Sequence, residues 1–287
     1  MTPSARLRQR LAQGDLLIAP GAYDSLSACL VEGAGFEACY MTGAGASAAH
    51  GFPDYGLLTL TEMAEHAGRM SRSVAIPLIS DADTGYGNEL NVTRTVREFE
   101  ARGIAAIHIE DQVSPKRCGH LEGKDVIARD EFVSKIRAAV AARRNPDFVI
   151  IARTDARAVA DFEEAVARAN AALRAGADMT FVEAIENRDE LVQVPQRVAG
   201  PCVLNLVPGG RTPLLDQSEA RQMGYRLAIY PAVALLAATG AIEAALHHLR
   251  DGGPPEAPPP GLLAGFYRRL GSDKWDAIRA MAGGEED

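Results

Sequence analysis

A closed barrel of eight parallel strands with surrounding helices, a TIM-type (β/α)8 fold in the α/β class, is what the chain's alternating pattern predicts. Short apolar runs fall at 16–19, 38–42, 77–80, 105–109, 148–153, 179–182, 202–206 and 227–230. Between them, 60–73, 91–102, 130–144, 161–174 and 187–198 read as amphipathic helices. Val92, Val96 and Phe99 show the spacing that puts apolar side chains on one helical face. Gly35, Gly103, Gly176, Gly200 and Gly224 each stand between a helical stretch and the next run, where glycine takes the left-handed conformation that ends a helix. The rival is a doubly wound open sheet. It lacks a G-x-G-x-x-G after a strand, because Gly43-Ala44-Gly45 has no third glycine.

The elements past the eighth run complete the plan. A helix over 232–249 follows, then the proline-rich spacer 251–260, which removes backbone donors and stiffens the chain. Leu262, Phe266, Leu270, Trp275, Ile278 and Met281 then predict a helical tail with an apolar face. The expected organisation is a barrel over 1–250, a spacer over 251–260 and a tail over 261–287 that packs on its own barrel or on a partner subunit. The acidic end, 283–287, is expected to fray.

Composition narrows the function classes. With 287 residues, 47% of them hydrophobic, there is enough apolar material for a large core. The net charge of −8 and the dispersed basic residues argue against a nucleic-acid surface. No apolar run approaches a membrane span, and the polar first thirteen residues make no signal peptide. Cys29, Cys39, Cys118 and Cys202 form no C-x-x-C pair, which fits a reducing cytoplasm better than a disulfide framework.

In a barrel of this kind the active site forms at the C-terminal ends of the strands. Reading those ends in order yields Tyr40 with Thr42-Gly43-Ala44, Asp81-Ala82-Asp83, His108 with Glu110-Asp111, Arg153-Thr154-Asp155, Glu183, Asn205 and Tyr230-Pro231. Asp81, Asp83 and Glu110 are hard oxygen donors with no sulfur cluster nearby, a set that suits Mg²⁺ or Mn²⁺ with water completing the shell. The bland reading is that they cap helices or pair with arginines. Arg153 carries the planar fork that binds a carboxylate, or that pairs with the acidic rim. Thr42, Gly43 and Ala44 offer a hydroxyl and approachable N–H groups, an anion cradle or merely a tight turn. His50, His66, His247 and His248 lack partners at metal-ligand spacing and read as surface or structural.

The segment 115–124 sets Cys118 among Lys116, Arg117 and His120, with Gly119 and Gly123 allowing the backbone to bend. Positive charge beside a thiol favours the thiolate, so a lowered pKa and a role in proton exchange are expected for Cys118. The plain alternative is an incidental cysteine in a basic loop.

Taken together, Tyr40-Met41-Thr42-Gly43, Gly51-Phe52-Pro53-Asp54, Asp81-Ala82-Asp83-Thr84-Gly85-Tyr86-Gly87, His108-Ile109-Glu110-Asp111, Lys116-Arg117-Cys118-Gly119-His120, Arg153-Thr154-Asp155-Ala156 and Gly209-Gly210-Arg211-Thr212-Pro213 resemble, in that order, the isocitrate lyase/phosphoenolpyruvate mutase superfamily. The resemblance implies Asp81 as the direct Mg²⁺ ligand, with Asp54, Asp83 and Glu110 holding its waters. It implies Thr42, Gly43 and Ala44 as the cradle of an α-oxo acid carboxylate and Arg153 as its counter-charge. Tyr40 would lie beside the C2 oxygen, Glu183 and Asn205 would position substrate, and Cys118, with His120, would sit on a gating loop and protonate the departing enolate. The family also implies a homo-oligomer, a tetramer built as a dimer of dimers.

The implied reaction is cleavage of C2–C3 in a 2-hydroxy dicarboxylate to an α-oxo acid such as pyruvate and a carboxylate. Leu121 stands where methylisocitrate lyases of the family carry an arginine after Cys-Gly-His, and Val182 stands where they carry proline. The Leu-Glu-Gly-Lys continuation looks more like the 2-alkylmalate and 2,3-dimethylmalate lyases. Methylisocitrate cleavage, oxaloacetate hydrolysis or decarboxylation, and carboxyvinyl-carboxyphosphonate phosphoryl transfer are the alternatives. A non-catalytic oxo-acid-binding protein is the remote one.

Overall fold

Eight parallel strands close into a barrel in sequence order. They are β1 (Leu17–Ala22), β2 (Cys39–Met41), β3 (Leu78–Asp81), β4 (Ala106–Glu110), β5 (Val149–Thr154), β6 (Met179–Val182), β7 (Cys202–Asn205) and β8 (Leu227–Tyr230). In this computed structural model, residues 1–254 and 260–283 are described. Closure is made by β1 on β8, from Leu17 opposite Leu227 to Pro20 opposite Tyr230. Central strands run one residue further toward the C-terminal rim than their apolar runs do. The ladder continues into polar residues there, pairing Asp81 with His108 and Glu110 with Arg153.

The helices are α1 (Pro3–Ala12), α2 (Ser25–Gly33), α3 (Gly43–Ala49), α4 (Leu60–Ser73), α5 (Glu89–Ala101), α6 (Arg129–Ala142), α7 (Ala156–Val159), α8 (Phe162–Arg174), α9 (Arg188–Arg197), α10 (Gln217–Met223), α11 (Val233–Arg250), α12 (Leu262–Arg269) and α13 (Ser272–Gly283). Local chemistry starts several of them. Thr59 and Glu62 form a capping box at α4, Asn88 and Asn91 at α5, and Asp216 and Glu219 at α10. Val92, Val96 and Phe99 of α5 are fully buried, each burial worth about 1.5–3 kcal/mol over exposure. Inside the barrel, Leu17, Tyr40, Ile79, Val149, Ile151, Phe181, Val203 and Ile229 pack with Leu7, which α1 supplies.

Gly35, Gly103, Gly176 and Gly224 hold left-handed φ values of 81–104°, as the pattern predicts. Gly200 does not, and corrects the reading. It is glycine because a Cβ would stand 2.9 Å from Leu173 Cδ2, so close packing, not backbone handedness, decides the residue there. The helix before it ends at Arg197, three residues earlier, with Val198 as its cap.

The chain divides into two compact units, Met1–Leu235 and Leu236–Asp287, and α11 spans the division. None of the side chains of α11 is buried. In the second unit Trp275, Met281 and Leu263 are 67–74% exposed. Residues 255–259 of the expected spacer and 284–287 of the expected frayed end lie outside the described residues. No helix among the described residues is long and apolar enough to cross a membrane.

Candidate active site

A cavity of about 100 Å³ opens at the C-terminal rim of the barrel, lined by Tyr40, Thr42, Ala44, Asp54, Asp81, Cys118, His120, Arg153, Glu183 and Asn205. Gly43, Asp83 and Glu110 are not among the lining residues. A larger cavity of about 340 Å³, lined by Arg8, Val149, Asp178 and Arg226, contains none of the predicted site residues. Its walls come from α1 and the strand starts, so it lies at the opposite end from the chemistry.

The acidic side is built on β3 and β4. Asp81 accepts from the backbone N–H of Asp83 at 2.9 Å and of Gly43 at 3.2 Å. Gly43 is glycine because a Cβ would run into the Asp81 carboxylate. Its N–H is therefore committed to Asp81, and of the expected cradle only Thr42 and Ala44 line the cavity. Burial works against the Asp81 charge, yet His108, Lys116 and Arg153 bring its pKa below the ordinary carboxylate value. Asp83 follows in the left-handed region, at φ 45°, an uncommon conformation for a residue with a Cβ that here turns its carboxylate toward Lys116. Lys116 Nζ stands 3.0 Å from Asp83 and also pairs with Asp54. Burial, with Asp81 and Asp54 nearby, raises Asp83 to about 6.

Glu110 is wholly buried, and its pKa is pushed well up by desolvation against the pull of Arg153. Neither of its carboxylate oxygens has a hydrogen-bond partner, and Oε2 makes only the ion pair with Arg153. Asp54, Asp81, Asp83, Glu110, Asp155 and Glu183 thus share a region with Lys116, Lys124 and Arg153, more carboxylates than cations. An excess of hard oxygens, with the Glu110 carboxylate lacking any hydrogen-bond donor, fits a divalent hard cation. Among the described residues no three His, Cys, Asp or Glu groups close into a ready-made cage, so water would supply much of such an ion's shell.

Arg153 spreads its fork over three carboxylates: Nε to Asp155 at 2.9 Å, Nη1 to Glu110 at 3.1 Å and Nη2 to Glu183 at 3.5 Å. Its guanidinium also lies 5.3 Å from the Phe181 ring centre. Arg153 pairs with the acidic rim, as one of its two readings expects, and also lines the cavity. Tyr40 Oη is 2.7 Å from His108 Nε2. Burial and Asp81 raise the phenol well above its usual value and burial lowers His108 to about 4, so both are neutral at pH 7. Asn205 Nδ2 donates to Glu183 Oε2 at 3.0 Å and lies 3.3 Å from His120 Nε2. The Arg211 N–H donates to His120 Nδ1 at 3.2 Å.

Cys118 corrects the sequence reading. Its pKa is raised, with burial the largest cause. Lys116 is spent on Asp54 and Asp83, and Arg117 stacks over the Tyr55 ring, so neither cation activates the thiol. The thiol keeps its proton at neutral pH. His108, Asp155 and Lys124 were assigned no role from sequence. The Arg153-Thr154-Asp155 spacing at a strand end was the available signal for Asp155. His50 and His66 are structural, as read: His66 bonds the Tyr23 carbonyl and His50 that of Ala46.

The chain is similar to proteins of one superfamily. The family model described as phosphoenolpyruvate phosphomutase matches residues 7–250. A 2,3-dimethylmalate lyase of Eubacterium barkeri is 46% identical over 243 residues, 84% of each chain. A 2-methylisocitrate lyase of Aeropyrum pernix is 44% identical over 251 residues, 88% of this chain and 81% of that one. A crystal structure of 2,3-dimethylmalate lyase superposes with TM-score 0.94 at 44% identity, covering 99% of this chain and 96% of the other. A phosphonopyruvate hydrolase solved with oxalate and Mg²⁺ gives 0.86 at 34% identity, covering 98% and 99%. The chain belongs to the phosphoenolpyruvate mutase/isocitrate lyase superfamily and is a lyase of it.

Proposed function

We propose that this lyase cleaves the C2–C3 bond of a 2-alkylmalate-type 2-hydroxy dicarboxylate, with Mg²⁺, releasing an α-oxo acid such as pyruvate and a carboxylate. One observation carries the choice. Beyond the polar groups, the cavity wall is completed by Val207, Pro231, Ala232 and Leu235. Such a wall receives an alkyl substituent and offers a further carboxylate no partner. Of the lining residues only Arg153 and His120 are basic.

Asp81 would be the direct ligand of Mg²⁺, with Asp54, Asp83 and Glu110 behind its waters, and the bound ion supplies a Lewis acid for the C2 oxygen. Arg153, Thr42 and Ala44 hold the carboxylate on C2, and Glu183 and Asn205 orient the substrate. Tyr40, kept neutral, donates its hydroxyl hydrogen toward the C2 oxygen. The C2 hydroxyl gives its proton to the Glu183 carboxylate, which lines the cavity, as C2 becomes the carbonyl carbon of the oxo acid. The C2–C3 electron pair stays with C3, where the neighbouring carboxylate delocalises it. Cys118 delivers a proton there, with His120 beside it on the same loop. No redox partner is needed, since the products balance the substrate. The step requires a reduced Cys118, which fits a reducing cytoplasm.

The test is the ratio of kcat/KM for a 2-alkylmalate over 2-methylisocitrate, which reports differential transition-state binding. A ratio well above one is expected. Leu121, half exposed, lies outside the cavity lining and beside Arg211. A preference for the tricarboxylate would therefore point to Arg211 as the substitute cation and return the reading to methylisocitrate lyase.

We also read the chain as a homo-oligomer, a tetramer assembled as a dimer of dimers. The support is the exposed apolar set on the second unit, with Trp275 71% and Met281 74% exposed. Removing residues 261–287 should shift the particle from oligomer toward monomer or aggregate. An unchanged mass by light scattering overturns the assignment of the tail to assembly.

A further inference from the structure

Past Cys118 the loop runs Leu121-Glu122-Gly123-Lys124, and Lys124 is the member that turns inward. Its side chain is 2% exposed, while that of Glu122 is 92% exposed. The Lys124 ammonium donates to the carbonyl of Gly119, the residue next to Cys118, and to Asp155 Oδ1 at 2.8 Å. Asp155 is fully buried and accepts from Arg153 Nε through its other oxygen. Its backbone N–H donates to Asp111 Oδ1 at 2.8 Å. Asp111 marks one base of the loop, and the Ile127 N–H donates to its carbonyl from the other base. Arg168 Nη1 reaches both Asp111 Oδ2 and the Ile127 carbonyl. Asp155 is thus a fixed post between the two ends of the loop. It shares its carboxylate between Arg153, which faces the cavity, and an ammonium carried by the loop.

A buried lysine–aspartate pair is a poor way to gain stability, because desolvation offsets most of the attraction. It is a good way to make one arrangement specific. Lys124 reaches Gly119 and Asp155 together in this structure, where Cys118, Gly119 and His120 line the cavity. There, a Cβ on Gly119 would meet Arg153 Nη2 at 2.5 Å and Glu183 Cγ at 2.7 Å. Arg211 braces the same loop from outside, but its side chain is 29% exposed and its pairing with Glu122 is open to water. We propose that Lys124 is a positioning residue that latches the Cys118 loop over the cavity through Asp155, so that the thiol reaches substrate only while Arg153 is held to bind a carboxylate. The effect on turnover rests on the lyase reading; the latch itself does not.

The test uses the full chain with Lys124→Met, which keeps the stem and removes the charge. Alkylation of Cys118 by N-ethylmaleimide is followed at its own peptide by mass spectrometry, with and without Mg²⁺ and oxalate. Loss of a charge-assisted hydrogen bond should speed alkylation on the order of tenfold or more. Protection by Mg²⁺ and oxalate should weaken, and kcat should fall more than KM changes. Alkylation within about twofold of wild type, in a variant that unfolds cooperatively, overturns the latch. A merely structural lysine would lower the melting temperature and leave native-state alkylation and kcat alone. If the methionine variant fails to fold, Asp155→Asn weakens the same contact and must accelerate alkylation. Where both variants fold, the double variant should be alkylated no faster than Lys124→Met alone, and independent multiplication of the two effects counts against the latch. Wild-type chain that neither turns over a 2-alkylmalate nor gains protection from oxalate would sink the 2-alkylmalate reading, while the alkylation comparison would still decide the latch.

Discussion

Asp81→Ala is expected to abolish turnover while leaving the barrel folded. The carboxylate it removes is the one that faces the cavity from the end of β3, held by the N–H groups of Asp83 and Gly43. Leaving those two donors unpaired costs about 1–3 kcal/mol each at most, which a barrel with this core survives. The metal readout separates ligand loss from a folding defect. Mg²⁺ at a hundred times its Kd should stabilise the wild-type chain by about 2.7 kcal/mol, visible as a rise in melting temperature. That rise should vanish in Asp81→Ala and shrink in Asp81→Asn, which preserves shape but not charge. Excess chelator should inactivate the wild-type enzyme, and added Mg²⁺ or Mn²⁺ should restore it. Full activity in excess chelator would remove the metal from the reading.

The rim was legible because each apolar run stops where its strand leaves the core, so the next residue is free to be polar. That is why Asp81, Glu110 and Glu183, each directly after a run, and Arg153 and Asn205, in the last two positions of theirs, could be placed on one face from their positions alone. Pairings across the rim were not legible. Lys116 meets Asp54, 62 residues away in the chain, and Asp83 at the turn after β3. Next to Cys118 in sequence, Lys116 read as an activator of the thiol. In space its charge belongs to the carboxylates. Burial, which periodicity does not report for a loop, then decides the Cys118 pKa in the opposite direction. Gly200 shows the same limit at the level of packing: the residue type was read as a backbone signal when a contact with Leu173 required it. Helix α2, capped by Asp24 accepting from the Ser27 N–H at 2.7 Å, buries Ser27, Ala28 and Val31, so its inward face offers periodicity few large apolar residues.

Cys118→Ser should lower kcat by about 10²- to 10⁴-fold, the usual contribution of a positioned acid–base group. Serine keeps nearly the same size in a site where Gly119 packs against Arg153 and Glu183, so the loop should still close. What changes is acidity, because a hydroxyl is a far weaker proton donor than a thiol. The raised pKa of Cys118 is consistent with this role rather than against it. Burial keeps the thiol protonated at neutral pH, and a donor must hold its proton until the C2–C3 bond breaks. The sign follows for pH dependence. Activity should be retained below the thiol's raised pKa and decline as pH rises through it, and that alkaline limb should be missing from whatever activity the serine enzyme keeps. Binding of oxalate should barely change, since Arg153, Thr42, Ala44 and the metal carboxylates remain in place. An incidental cysteine predicts another pattern: Cys118→Ser would move the melting temperature and spare kcat. Measuring kcat, oxalate Kd and melting temperature on the same preparation separates the two, and near-normal kcat would remove Cys118 from the mechanism together with the chief reason for reading proton delivery to C3 into this site.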